Sequence, residues 1–333
     1  MEQQLAKAAC GKADAERSRA LLPDTRYPIP ESRFPPEGPR LRKTVNDLGM
    51  RAAGNIAAGL HALLGSRANN RIGILTYHRI APHVRGAPPP LHNVTPERFR
   101  EQIGGLLRRD FNVWPLRRIL HDTAVGRELP PRTIAITFDD GFETVFTRAW
   151  PILRELQAPA TVFVNTAYLD STGPFPFDAW GVDWQGRVPP ETYRPLTSAQ
   201  CRELQAGGLM DLGAHTHTHA DFRDRPEQFR EDLQLSVDVL RARFGLDEVP
   251  FAFPFGSPAL GFSGGALAQA ARDTGVVCGL TTEGVLIDPR SDPLHWGRFN
   301  AFAWDTSATL AAKLAGWYSW APKLRQRLAG AGR

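Results

Sequence analysis

Short apolar runs alternate with amphipathic stretches along most of this chain. The apolar runs have the length of buried strands, and they fall at 72–78, 132–138, 160–166, 210–217, 249–256 and 276–282. Apolar residues at helical spacing follow, at 95–110, 142–157, 197–208, 226–245 and 264–275. Thr95 before Pro96 marks the start of the first of these helices. Repeated strand–helix units predict an α/β fold of parallel strands with helices outside, closed or nearly closed as a barrel.

The two ends of the chain differ from this central region at 70–305. Residues 1–43 include the stretch YPIPESRFPPEGPR, which predicts a disordered extension because prolines prevent regular structure. Residues 44–66 predict an amphipathic helix. Residues 306–333 predict a basic, Trp-bearing amphipathic helix, for which core packing and contact with a membrane surface both stay open.

Composition narrows the class of protein without giving a function. The chain of 333 residues has a formal net charge of +5, but its basic residues are scattered and no nucleic-acid-binding signature is present. Cys10, Cys201 and Cys278 are odd in number and far apart, which argues against a disulfide framework. Cys278 reads as a small core residue. Without a visible signal peptide or membrane span, we expect a cytoplasmic protein whose membrane contact is at most peripheral.

Candidate chemistry lies where the predicted strands end, because folds of this class carry their sites at the carboxyl ends of the strands. Polar residues at such positions are His78, Asp139, Asp140, the histidines of 215–219, the end of FAFPFG, and His295.

The histidine run in GAHTHTHADF predicts a metal site. If the segment is extended, His215, His217 and His219 point to one side; if it turns helically, His215 and His219 share a face. A histidine-rich surface loop is the alternative. Two imidazoles and a carboxylate form a three-ligand set with an open position, which is typical of catalytic zinc. One of the adjacent aspartates could bind the cation and the other act as a base, although DDG could also cap a helix.

These motifs resemble those of the polysaccharide deacetylases, carbohydrate esterase family 4 with its NodB homology domain. TFDDG at 137–141 looks like the first motif of that family, HTHTH at 215–219 is similar to its His-[Ser/Thr]-x-x-His motif, and FAFPFG at 251–256 looks like its third. The resemblance covers roughly 72–302. It implies a distorted (β/α)7-type barrel and a metal-dependent hydrolase that removes N-acetyl groups from the sugars of a polysaccharide.

The resemblance also implies roles for single residues. Asp139 would be the general base. Asp140, His215 and His219 would hold a divalent metal, usually zinc. The backbone N–H of Phe255 would stabilise the oxyanion. Thr216 would orient a neighbouring ligand or loop, while His217 occupies a variable position.

Two departures from the family pattern concern the base and the acid. The third motif usually begins with an arginine that braces the catalytic aspartate, where this chain has Ala252. Arg298, which we group with the substrate-binding candidates, either supplies that charge from another strand or is structural. No late Leu-x-His motif is found, and His295 is the nearest C-terminal histidine. We prefer His78 as the general acid because it ends the first strand; a packed rim histidine is the alternative.

An aromatic loop at 175–186 offers a further candidate surface. Trp180 and Trp184 could stack on sugar rings, and Asp178 or Asp183 could bind hydroxyl groups. The alternative is a loop packed by its own aromatic side chains.

Two other classes of function stay open at this stage. The same scaffold could hydrolyse O-acetyl esters or non-sugar C–N bonds. The chain could also be a carbohydrate-binding protein with a lapsed site, although the retained Asp139 argues against this.

Overall fold

The computed structural model of the protein describes residues 40–64 and 70–317. Its strands are β1 (Gly73–Tyr77), β2 (Arg79–Ile80), β3 (Asn93–Val94), β4 (Asn112–Val113), β5 (Thr133–Phe138), β6 (Ala160–Val164), β7 (Met210–Ala214), β8 (Pro250–Ala252), β9 (Cys278–Leu280) and β10 (Phe299–Asn300). Its α-helices are α1 (Arg40–Leu64), α2 (Pro96–Leu107), α3 (Leu116–Ala124), α4 (Trp150–Leu156), α5 (Ala179–Trp184), α6 (Ser198–Ala206), α7 (Pro226–Phe244), α8 (Gly265–Asp273) and α9 (Ser307–Leu314). Residues 1–39 of the predicted extension, and the predicted helix beyond residue 317, lie outside the described residues.

A curled parallel sheet forms the centre of the fold, with the strand order β10-β1-β5-β6-β7-β8-β9 and β4 beside the start of β5. One segment joins the two ends of this sheet. Leu280 of β9 bridges Trp296, and a few residues later Phe299 of β10 pairs with Leu75 of β1. The predicted α/β fold with a barrel-like parallel sheet is thereby confirmed.

Successive side chains of the central strands enter two different cores. Ile134, Ile136 and Phe138 of β5 join the large core that the sheet shares with most of the helices. Ala135, between them, joins a second core on the inner face of the sheet. Cys278 lies in this second core as a free, buried thiol, as its sequence context predicts.

The same alternation carries polar groups up the inner face of the sheet. In β1, Ile74 belongs to the second core and Thr76 is the next residue on that face; in β5 the next is Thr137. One further step of two residues reaches His78 and Asp139. Strand geometry therefore places a histidine and a carboxylate above the apolar interior.

The helices begin where their capping residues predict. Thr95 Oγ1 accepts a hydrogen bond from Arg98 N at 3.3 Å, with Pro96 in the first turn of α2. Thr197 and Gln200 form a reciprocal capping box on α6. At the N-terminal end, α1 covers Arg40–Leu64 where the sequence predicts 44–66. None of the helices in the two described ranges combines the length and the apolar character that a membrane crossing needs.

We expect the replacement Gly213→Ala to lower the free energy of unfolding by about 1–3 kcal/mol. A Cβ atom at this position in β7 would lie 2.5 Å from the Phe163 ring and 2.8 Å from the carbonyl oxygen of Pro250. The backbone of β8 cannot move aside without disturbing the sheet. Urea unfolding measures the effect. Gly173→Ala, where a Cβ meets nothing within 4 Å, is the control and should change the value by less than about 0.5 kcal/mol.

Candidate active site

The ends of β1, β5, β7 and β8 bring most of the predicted site residues together. His78 follows β1, the Asp139–Asp140 pair follows β5, and His215 follows β7. The ring of His219 lies 5.1 Å from that of His215 and 4.9 Å from that of Phe255, in the loop after β8. The charges of His78 and His215 act on both aspartates, so these groups share one electrostatic environment.

Asp139 is held by a bidentate ion pair with Arg298. The two guanidinium nitrogens of Arg298 donate to the two carboxylate oxygens at 2.7 and 2.8 Å, and both side chains are buried. Burial alone would raise the pKa of Asp139, but Arg298, followed by His215, holds the pKa below its ordinary value. Asp139 is therefore an ionised carboxylate with a fixed orientation.

The position of Arg298 corrects its grouping with the substrate-binding residues. Its side chain is 0% exposed and lies beneath Asp139, so it does not reach a substrate. Its remaining hydrogen bonds go to the hydroxyl groups of Thr76 and Thr137 and to the carbonyl oxygen of Thr281. Arg298, next to the strand that closes the sheet, thus supplies the positive charge beside Asp139. Ala252, at the position where the family pattern has an arginine, carries no charge.

Asp140, His215 and His219 form a cluster with the donor set of a metal site. Both imidazole Nε2 atoms lie 3.5 Å from Asp140 Oδ1, and one ligand atom from each residue lies within 4.8 Å of the others. All three side chains are buried. Burial opposes ionisation of Asp140, yet the histidines around it keep its pKa far below the ordinary value. For His219, burial dominates and lowers the pKa to about 3, so this ring is neutral and can offer a lone pair.

The hydrogen bond on the far side of His215 indicates that this cluster suits a cation. Nδ1 of His215 lies 2.8 Å from the carbonyl oxygen of Ala252, which can only accept. Nδ1 therefore carries a proton. Burial opposes a charge on His215, but Asp139 and then Asp140 raise its pKa, so without a cation Nε2 faces the Asp140 carboxylate as a proton donor. A bound cation would take the place of that proton and use the Nε2 lone pair. Lone pairs from two imidazoles and one carboxylate that converge in this way fit a divalent metal ion with an open coordination position.

Several residues around the cluster have a strained backbone conformation. Four non-glycine residues adopt left-handed conformations, with φ values of 68°, 63°, 57° and 60° at Asp140, Thr216, His219 and Phe255. Such conformations cost free energy in residues with a Cβ and persist only where the surroundings enforce them. The left-handed residue at Thr216 turns the chain between His215 and His219, so the run is neither an extended strand nor a helical turn.

Hydrogen bonds fix this histidine loop to its neighbours. Thr216 Oγ1 accepts from the backbone N–H of His219 at 3.0 Å, which is the orienting contact the sequence predicts. Asp232 of α7 accepts from the backbone N–H groups of His217 and Thr218. The ring of His217 lies 2.9 Å from Thr166 Oγ1, so it is directed away from the other two histidines. The interpretation in which all three rings point to one side is therefore wrong.

His78 lies at the cluster, and His295 does not. Enclosure lowers the pKa of His78, while the nearby Asp140 and Asp139 carboxylates oppose that shift. The ring of His78 stacks on that of His92, with centroids 4.7 Å apart and planes 19° apart. His295 is half exposed and lies 3.9 Å from Asp292, whose carboxylate also binds Arg272.

The aromatic loop lies partly over the cluster. Trp180 and Trp184 are half buried and stack on each other at 6.5 Å, and Trp180 Nε1 donates to the carbonyl oxygen of Pro88. Phe177 stacks directly on the His219 ring, with centroids 4.0 Å apart. Asp178, which the sequence offers as a ligand for sugar hydroxyls, instead forms an ion pair with the buried Arg79.

Several residues that contact the site residues or their neighbours are not predicted from the sequence. They are Arg79, His92, Phe177, Asp232 and Asn165, whose side-chain amide donates a hydrogen bond to the carbonyl oxygen of His215. An arginine after a strand, or an aspartate within an amphipathic helix, looks like an ordinary surface residue. The pattern of charges in the sequence gives no signal for them, because their partners come from distant segments.

Taken together, the residues present the elements of a metal-assisted hydrolytic site. An oriented carboxylate adjoins a three-residue cluster, and His78 lies close enough for its charge to act on both aspartates. A buried arginine keeps the carboxylate charged. This arrangement suits the addition of water to a carbonyl group followed by protonation of a leaving group.

Comparison with known proteins gives a consistent result. The family model described as polysaccharide deacetylase matches residues 126–278. The poly-β-1,6-N-acetyl-D-glucosamine N-deacetylase of Staphylococcus epidermidis is 25% identical over 210 residues. That match covers 60% of this chain and 65% of the relative, which is slightly less than two thirds of its length.

Solved structures share the fold. IcaB from Ammonifex degensii superposes with a TM-score of 0.60 at 22% identity, covering 73% of this chain and 97% of that one. The Streptococcus pyogenes deacetylase PplD in complex with acetate gives a TM-score of 0.59 at 20% identity, covering 73% and 98%. At these identities the likeness concerns the fold.

Proposed function

Because this chain belongs to the polysaccharide deacetylase family, we propose that it removes N-acetyl groups from the sugars of a polysaccharide. One observation carries the proposal: the Asp139 carboxylate, paired with Arg298, lies directly beside the Asp140–His215–His219 cluster. A carbohydrate-binding protein would have no use for a buried, oriented and charged base next to a metal-type cluster. The lapsed-site alternative is correspondingly weakened.

We assign Asp140, His215 and His219 as the residues that hold a divalent metal, with zinc as the candidate that suits two imidazoles and a carboxylate. When bound, such a metal is a Lewis acid that lowers the pKa of water and polarises the carbonyl of the scissile amide.

The residues of this chain would then divide the proton transfers between them. Asp139 takes a proton from the attacking water molecule, and the oxygen of that water molecule bonds to the amide carbonyl carbon. The backbone N–H of Phe255 donates to the carbonyl oxygen as it gains negative charge. His78, as the imidazolium, gives its proton to the sugar nitrogen as the C–N bond breaks, so the products are acetic acid and a free amine. The proton that Asp139 took from water replaces the one that His78 lost, and the reaction consumes only water.

We expect His78→Gln to lower kcat by about 10²–10⁴-fold, because the leaving nitrogen would lose its proton donor. His295→Gln is the matched control, since His295 is exposed beside Asp292 and should leave kcat unchanged. Release of acetate under saturating substrate measures both variants. A His295→Gln variant that lost activity, beside an active His78→Gln variant, would reverse the assignment of the acid.

The substrate to test first is a polymer of β-1,6-linked N-acetylglucosamine, since the relative from Staphylococcus epidermidis carries that substrate in its name. Purified protein supplied with zinc is incubated with this polymer, with another N-acetylated polysaccharide and with O-acetylated sugars. Acetate and free amines are quantified in parallel. Equal amounts of acetate and amine from a polymer support the proposal. Acetate from O-acetylated sugars alone would replace N-deacetylation by esterase activity, and binding without any release would favour a binding protein.

A further inference from the structure

The guanidinium of Arg79 joins three segments that carry candidate site residues. Arg79 directly follows His78, is 2% exposed, and forms an ion pair with Asp178 of the aromatic loop. Its guanidinium lies 4.0 Å from the centre of the Phe142 ring, two residues after Asp140. On another side it lies 5.1 Å from the ring centre of Trp180. One buried cation therefore links the strand end, the aspartate turn and the aromatic loop.

Burial opposes the charges of this ion pair. Burial raises the pKa of Asp178 although Arg79 lies beside it, and burial lowers the pKa of Arg79 although Asp178 opposes this. Both shifts favour the neutral forms, so desolvation exceeds the mutual attraction. Buried pairs of this kind are often no more stable than apolar side chains in the same place. The pair joins the aromatic loop to the end of the first strand, next to the candidate site.

The two histidines of the metal cluster are oriented by different means. A histidine that binds a metal usually donates its second ring N–H to a carbonyl or carboxylate, which fixes the ring. His215 follows this rule through Ala252. Nδ1 of His219 is buried and has no hydrogen-bond partner among the residues that the structure describes. The ring of His219 is instead enclosed by aromatic side chains, with Phe177 stacked at 4.0 Å and 21° and Phe255 edge-on at 4.9 Å.

We propose that the Arg79–Asp178 pair is a positioning device for the metal ligand His219, acting through Phe177. Asp178 is the neighbour of Phe177, so the ion pair fixes the height of the Phe177 ring over the imidazole. The ring in turn holds His219 at the angle at which its Nε2 faces Asp140. Neither Arg79 nor Asp178 touches the reacting atoms. The inference rests on the proposed function, because it needs a metal at this cluster.

The experiment is a titration of the full-length apo protein with Zn²⁺ in competition with a chelator of known affinity. We expect Asp178→Asn and Phe177→Leu each to raise the Kd for Zn²⁺ by about 10–100-fold. In the double variant the two effects should not multiply, because both remove the same support from His219. Phe177→Leu leaves the ion pair intact, so it tests the contact between Phe177 and His219 even if the Asp178→Asn variant folds poorly.

Glu191→Gln is the matched control. Glu191 pairs with Arg148 at 2.9 Å and ties the same β6–β7 connection to the neighbouring π-helical turn at Val145–Ala149, but it does not approach His219. Its Kd should equal that of the wild type. A folded Asp178→Asn variant with wild-type Kd, or effects that multiply fully in the double variant, would overturn the inference alone. A wild-type protein that binds no Zn²⁺ would overturn the proposed function and this inference with it.

Discussion

Asp139→Asn should reduce acetate release by about 10²–10⁴-fold while leaving the metal in place. The amide of asparagine matches the carboxylate in shape but cannot accept a proton from water. The three candidate metal ligands are untouched by the change, so metal content should equal that of the wild type. The measurement pairs the rate of acetate release with elemental analysis of the same sample.

The buried partner of Asp139 makes a second variant necessary. Asp139→Asn leaves the fully buried Arg298 without its counter-charge, and breaking a buried ion pair on one side costs about 3–5 kcal/mol. Loss of activity alone could therefore reflect loss of the fold. In Asp139→Asn combined with Arg298→Met no charge is left unpaired, and much of the stability should return. Activity should stay low in this double variant. Wild-type turnover in either variant, folded and metal-loaded, would sink the assignment of Asp139 as the base.

His215→Ala and His219→Ala should each reduce bound metal from about one ion per chain to a small fraction of that value. A three-ligand set that loses one imidazole keeps too few donors to compete with water. His217→Ala is a strict control, because His217 lies between the two in sequence but its ring contacts Thr166. It should retain the metal.

Thermal stability gives an independent readout of the same prediction. Zinc at about 100 times its Kd should stabilise the wild type and His217→Ala by about 2.7 kcal/mol, because it binds only the folded state. The two ligand variants should show no such gain. Equal stabilisation of all four proteins would mean that the metal binds elsewhere, and it would contradict the proposed metal site.

The positions of most site residues follow from local periodicity. Residues 76 and 137 lie on the inner face of their strands, and counting on by two reaches His78 and Asp139 without any tertiary information. The shared face of His215 and His219 was one of two interpretations. The sequence could not choose between them because a left-handed residue, Thr216, sets the geometry. A threonine in that conformation is enforced by its surroundings, not by local preference.

Contacts that depend on register could not be settled from the sequence, which leaves Arg298 as either the partner of Asp139 or a structural residue. Arg298 finds Asp139 because the last segment of the sheet pairs with β9 and β1 at a particular offset, which side-chain patterns do not encode. Asp178 appears in the sequence as a polar residue in an aromatic loop, and its burial against Arg79 depends on how that loop returns over the sheet. For both residues the amino-acid type was informative, while the partner depended on long-range topology.

Because residues 296–300 close the sheet, the order in which the chain is synthesised determines when the site is completed. Asp139 leaves the ribosome 159 residues before the arginine that neutralises it. All three candidate metal ligands also precede Arg298, so a growing chain contains all three of these residues while Asp139 still lacks its counter-ion. The carboxylate acquires its fixed orientation only when the final strand pairs with the first. Completion of the barrel and orientation of Asp139 are thus a single event, and a chain that ends before residue 298 would carry the Asp140–His215–His219 cluster without the arginine that pairs with Asp139.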